Sequence, residues 1–155
     1  MSPSTNGPEL VHGTALALGD KAVLIRGPSG SGKSDLALRC IAQGPFAHIS
    51  RRAELVADDQ VRLLRSERGI EVSAPPTIAG KMEVRGLGIL PLPHRASAVL
   101  TLVVDLVSVS DVPRYPLDEV STEFLGTRIP VIRLAPFEAS APIKVLLALN
   151  EATAR

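Results

Sequence analysis

The residues with the most chemistry to offer lie in three short stretches. The first, "GPSGSGKS" at residues 27–34, satisfies the pattern G-x-x-x-x-G-K-[ST] in full. Gly27, Gly30 and Gly32 permit backbone torsions and close approaches that a side chain would forbid. The loop residues Gly27, Pro28, Ser29, Gly30, Ser31 and Gly32 would then bind the nucleotide, their amide N–H groups (Pro28 has none) facing phosphate oxygens with the positive end of a following helix behind them. Lys33, expected to be exposed in the nucleotide-free protein, would bridge the β- and γ-phosphates, and the Ser34 hydroxyl would ligate Mg²⁺. A Gly/Ser-rich turn could match by chance. The apolar run "KAVLIRG" before the loop and the helix-spaced "KSDLALRCIAQ" after it argue for phosphate.

A phosphate loop names no reaction until an acid joins it. The second stretch, "LVADDQV", supplies Asp58 and Asp59 after an apolar strand-like run. Neighbouring residues at a strand end point in different directions, so one acid can reach Mg²⁺ while the other faces an incoming hydroxyl. A carboxylate beside the γ-phosphate can accept the proton of an attacking alcohol. Taken alone, Asp-Asp is a common solvated turn. The third stretch, "MEVRGLGIL", contains Glu83, which in isolation is an unremarkable surface acid. His12, likewise, reads by itself as a strand histidine with a satisfied hydrogen bond, and His48 and His94 carry no assignment.

The elements that must hold these residues follow from pattern. Residues 9–18 form a β-rich stretch, and residues 21–27 return after a Gly19-Asp20 turn, a hairpin signal. Residues 33–43 read as a helix stopped by Gly44-Pro45. "ELVADDQVRLLRS" reads as strand, acids, strand; residues 67–97 as short strands and loops; "AVLTLVVDLV" and "IPVIRLA" as buried strands. "APIKVLLALN" closes as a helix with Ser140 at its N-cap and Pro142 in its first turn. Strands that succeed one another without helices predict an α/β fold with a mixed, largely antiparallel sheet. The expected organisation is a loose tail over residues 1–8 and one domain over residues 9–155.

Composition narrows the function classes. The 155 residues are 45% apolar and 21% charged with net charge +1, an ordinary globular balance for one domain. That charge, with three Phe, one Tyr and no Trp, speaks against a nucleic-acid partner. The longest apolar run, residues 98–107, is broken by Asp105 and too short to span a bilayer. "MSPSTNGPEL" has no signal-peptide pattern, and the lone Cys40 reads as a small buried residue on a helix, so a cytoplasmic protein is expected.

Together, "VHGTALALGDKAVLIRGPSGSGKSDLAL", "ELVADDQV" and "EVRGLGIL" resemble the catalytic domain of the bacterial HPr kinase/phosphorylases, which phosphorylate a serine of the phosphocarrier protein HPr. The His-Gly fifteen residues before the phosphate loop, the Ala-Asp-Asp strand end and the Glu-x-Arg-Gly-Leu-Gly-Ile segment carry the likeness. The resemblance implies the family's P-loop kinase fold and ATP with Mg²⁺ as cofactors. Asp59 would be the proton acceptor, Asp58 and Glu83 metal ligands beside Ser34, and His12 an active-site histidine near the acids. Arg85 and Gly86 fall in the Glu83 segment. HPr would be the substrate, linking the protein to phosphotransferase signalling and carbohydrate metabolism, and a homo-oligomer of unknown size is expected.

The chain departs from the family pattern in three places. The family's long N-terminal domain is not expected, since His12 lies almost at the start. Residues 45–54 lengthen the connection between the helix and the acidic strand. The family's Pro-Val-Arg-Pro-Gly-Arg-Asn segment, tied there to the reverse reaction, is replaced by "LAPFEASAP", with Glu138 and no arginine. Loss of those cations predicts weak or absent phosphorylase activity. Two other readings are a small-molecule kinase, with residues 45–54 as its candidate lid, and a non-catalytic ATP-sensing module.

Overall fold

The structure, a computed structural model, describes residues 6–115 and 119–152. Among these residues the chain forms eleven strands and two α-helices in one mixed α/β fold. The strands are β1 (Glu9–His12), β2 (Thr14–Leu18), β3 (Lys21–Arg26), β4 (Glu54–Ala57), β5 (Gln60–Ser66) and β6 (Gly69–Ser73). After them come β7 (Lys81–Val84), β8 (Gly88–Pro91), β9 (Ser97–Leu106), β10 (Val120–Phe124) and β11 (Thr127–Leu134). The helices are α1 (Lys33–Ala42) and α2 (Ala141–Glu151). Residues 1–5 of the expected tail lie outside the described residues. Its last part is docked, because the Asn6 carbonyl accepts the Arg65 N–H at 2.8 Å.

The main sheet runs β1-β5-β6-β9-β3-β2-β4. β9 holds it together because it is long enough to have three partners. β3 lies along one edge in parallel; the other edge takes β6 antiparallel at Ser97–Val99 and β11 parallel at Val103–Leu106. Only β3, β9 and β11 run parallel, so the mixed, largely antiparallel sheet expected from the order of elements is what forms. β10 pairs with β11, and β7 and β8 make a separate hairpin. β10 has no counterpart in the sequence reading. Its exposed, polar pattern gives it little apolar signal, and pairing with β11 is what makes it a strand.

Burial on both faces explains the apolar runs. All five residues of β2 are buried; Leu16 and Leu18 face the helices, while Ala15 and Ala17 face the second core formed by β5, β6, β9 and β11. α1 contributes Leu36, Ala37, Cys40 and Ile41 to the helix-side core, and α2 contributes Val145, Leu146 and Leu149. Each such leucine is worth about 1.5–3 kcal/mol of burial. The hairpin of β2 and β3 closes at Gly19-Asp20 as expected. By contrast, β1 is a separate strand that pairs with β5, and β4 and β5 part company after the acids instead of pairing. Ser140 occupies the N-cap of α2 but makes no side-chain cap. Its backbone is already helical (φ −84°, ψ −3°), whereas a capping hydroxyl needs the extended conformation to reach the free amides.

Candidate active site

Two strand registers assemble the site. Pairing of β2 with β4 sets Ala15 opposite Ala57, which brings Thr14 beside Asp58. Pairing of β1 with β5 sets His12 opposite Gln60, which brings His12 beside Asp59. Asp58 is buried, and its Oδ1 accepts hydrogen bonds from Thr14 Oγ1 at 3.0 Å and Ser34 Oγ at 2.7 Å. Asp59 turns the other way. Its φ of +70° is unusual for a residue with a side chain, and the Asp59 carbonyl accepts the Gly13 N–H at 3.1 Å. This left-handed kink throws its carboxylate into solvent, 73% exposed, with Oδ1 3.5 Å from His12 Nδ1. The two acids therefore do diverge, one held and one free.

The phosphate loop joins β3 to α1. Gly32 ends it at φ +99°, and an added Cβ there would stand 2.9 Å from the Phe137 ring. At Gly27 an added Cβ would lie 2.5 Å from the Ser31 hydroxyl, which fills the space where a side chain is missing. Lys33 corrects an expectation: it is 7% exposed, not solvent-facing. Its Nζ donates to the Gly27 carbonyl at 2.8 Å and the Pro28 carbonyl at 2.9 Å, so the ammonium braces the loop from inside. One of its three protons stays available for an anion.

A cleft of about 1190 Å³ gathers these parts. The phosphate loop and the acidic pair form one side, and the β7–β8 hairpin with Lys81, Glu83 and Arg85 forms the other. Alternation along β7 buries Met82 in the core and leaves Lys81 and Glu83 exposed. Glu83 thus shares the cleft with Asp58 and Asp59, but among the described residues no three His, Cys, Asp or Glu groups converge at metal-ligand spacing. Ser34 and Asp58 offer paired hard oxygens beside the loop, a donor set that suits Mg²⁺, which takes one or two carboxylates and fills its sphere with phosphates and water. Gly27, Pro28 and Ser31 do not line the cleft; Gly27 and Pro28 supply carbonyls to Lys33, and the Ser31 hydroxyl is buried. Thr14, which the sequence reading missed, is fully buried and fixes Asp58; its signal was only an apolar strand with one hydroxyl at its start. Phe137 was also missed, and it walls the cleft from the segment between β11 and α2.

The fold and site define a phosphate-loop α/β protein whose loop and paired-aspartate strand end form one wall of an open cleft. The model for the HPr serine kinase C-terminal domain matches residues 6–151, and the chain belongs to that family, a kinase family. It is 36% identical over 145 residues to the HPr kinase/phosphorylase of Bordetella pertussis, covering 86% of this chain and 43% of that protein. With the HPr kinase/phosphorylase of Neisseria meningitidis it shares 37% identity over 118 residues, covering 71% of this chain and 34% of that one. The chain thus matches less than half the length of these curated relatives. The structure of the HPr(Ser) kinase/phosphatase from Coxiella burnetii superposes with a TM-score of 0.75 at 24% identity, covering 92% of this chain and 89% of that one. That likeness fixes the fold. No helix among the described residues is long and apolar enough to cross a membrane.

Proposed function

We propose that the protein is an ATP- and Mg²⁺-dependent kinase of the cytoplasm that phosphorylates a serine of HPr, with phosphorolysis of the product weak or absent. The observation that carries this reading is the divergence of the acids. Asp58 is locked to Ser34 beside the phosphate loop, and Asp59 stands free at the cleft mouth against His12. In this reading Lys33 and the loop amides hold the phosphates, and Ser34 and Asp58 hold Mg²⁺, with Glu83 reaching it from β7. The metal would supply charge neutralisation across the β- and γ-phosphates. Asp59 accepts the serine proton, and His12 orients its carboxylate. A sensor of ATP has no use for an exposed base at that position.

A protein substrate suits the cleft. It is open, and the β7–β8 hairpin carries Leu87 and Ile89 exposed at its rim, apolar contacts for a docking surface. Residues 45–54, the candidate lid of a small-molecule kinase, do not line it. The weak reverse reaction follows from the segment around Phe137. Glu138 lies 3.4 Å from Lys144, and neither Arg128 nor Arg133 lines the cleft to replace the missing cations. Arg85 does, but it belongs to the segment shared with the family.

The test is incubation of the purified chain with Mg²⁺, γ-labelled ATP and HPr from the same cell. Label on an HPr serine is expected. Label appearing on a small metabolite, or ATP bound without transfer, would replace this reading by one of the other two.

A further inference from the structure

A second hollow, of about 460 Å³, opens beside the phosphate cleft and is lined by residues 107–109 and 135–138. It sits where β9 and β11 end, joined there by the Val107 N–H donating to the Leu134 carbonyl at 3.0 Å. These strands run parallel to β3, whose own C-terminal end opens into the phosphate loop. Ligands of open α/β sheets collect along that edge, outside the carboxyl ends of parallel strands. The size lies within the range of small-molecule pockets.

Phe137 belongs to both spaces. One edge of its ring lies against Gly32, while the ring as a whole is 71% exposed. Its segment is tied to the helix behind the phosphate loop, because Arg39 donates to the Pro136 carbonyl. Val109, 66% exposed, lines the hollow and not the phosphate cleft. The polar side chains at the rim are already engaged: Ser108 donates to Asp111 at 3.0 Å, and Glu138 pairs with Lys144. The hollow therefore offers an aromatic face and aliphatic walls with little hydrogen-bonding specificity, one ring's width from the phosphate site.

We propose that this hollow is the base subsite of the nucleotide whose phosphates the loop holds, the base stacking on Phe137 between the ends of β9 and β11. This deepens the kinase reading and rests on its nucleotide assignment. Because no rim side chain is free to read a base edge, stacking dominates, and adenine and guanine nucleotides bind within a few-fold of each other.

Calorimetric titration of the full chain with Mg²⁺ complexes of ATP, GTP and inorganic tripolyphosphate tests this. Phe137→Ala is expected to weaken ATP and GTP about tenfold and leave tripolyphosphate unchanged, since a base stacked on an aromatic ring is lost. Val109→Asp should repeat that pattern from a residue outside the phosphate cleft, with thermal melts confirming both folds. Equal losses for ATP and tripolyphosphate in both variants, or no loss in either, would overturn the subsite. So would a defect confined to the KM for HPr, which would make the hollow a protein contact. Failure of the unaltered chain to bind either ATP or tripolyphosphate would instead remove the nucleotide reading, and the subsite with it.

Discussion

Ser34 Oγ donates a 2.7 Å hydrogen bond to Asp58 Oδ1, joining the first turn of α1 to the end of β4. The same oxygen accepts the Thr14 hydroxyl, so a buried carboxylate is held by two neutral donors. Donation to Asp58 turns the Ser34 lone pairs outward, the orientation a metal ligand requires. Thr14→Val should leave Asp58 with a single donor and cost about 1.5–3 kcal/mol in denaturant unfolding, the range for a hydrogen bond to a charged group. Asp58→Asn should keep the hydrogen bonds and lose the charge, so nucleotide binding becomes less dependent on Mg²⁺. An unchanged Mg²⁺ dependence would take Asp58 out of the metal site.

Asp59 is the residue on which turnover should depend. Asp59→Asn preserves size and polarity but cannot accept a proton, and turnover should fall about 10²–10⁴-fold with ATP binding retained. Rapid-quench kinetics with HPr would show it. Should Asp58→Asn abolish turnover with metal binding intact while Asp59→Asn is harmless, the two acids have been assigned in reverse.

Lys33 has a structural as well as a chemical part. Lys33→Ala should abolish phosphoryl transfer, because the charge at the γ-phosphate is lost. It should also take the donor from the Gly27 and Pro28 carbonyls, loosening the loop by about 1–3 kcal/mol. Hydrogen exchange of the residue 27–33 amides would detect that loosening. A variant with full activity would sink the nucleotide assignment.

Phosphorolysis joins inorganic phosphate to the phosphoryl group of phosphoserine, releasing pyrophosphate and the serine hydroxyl. Two anions brought that close repel unless cations separate them. With Glu138 in the replaced segment, phosphoserine-HPr should accumulate and persist when phosphate is added without ATP. Rapid phosphate-dependent release of pyrophosphate would contradict this and direct attention to Arg85 and Lys81, the cations that do line the cleft beside Lys33.

Cys40 gives a pH signature unrelated to catalysis. Burial against α2 pushes its thiol up from 9.0 to about 12, with nearby Arg39 acting in the opposite direction. The native chain therefore keeps the proton that the unfolded chain releases near 9.0. Its contribution to stability is fully present below that pH and is lost as pH rises toward 12. At pH 8 alkylation of Cys40 should be slow in the native protein and fast in denaturant. Rapid native labelling would show that the helix-side core opens.

The amino-acid sequence by itself determined the phosphate loop, because its chemistry is local. Three glycines, a lysine and a serine at fixed spacing between a strand and a helix need no distant partner to be read. It also determined the mixed sheet, since strand followed strand without a crossover helix, and the inert Cys40 on the buried face of α1. Tertiary structure decided what depends on register. Thr14 meets Asp58 across 44 residues, and His12 meets Asp59 only because β1 leaves the hairpin to pair with β5. Lys33 departs from the exposure usual for a lysine because it curls back onto carbonyls of its own loop. Phe137 carried no periodic signal at all. Its place against Gly32 exists because β11 lies parallel to β9 and ends beside the loop that β3 begins, a neighbourhood that pairing across the sheet creates and local sequence does not encode.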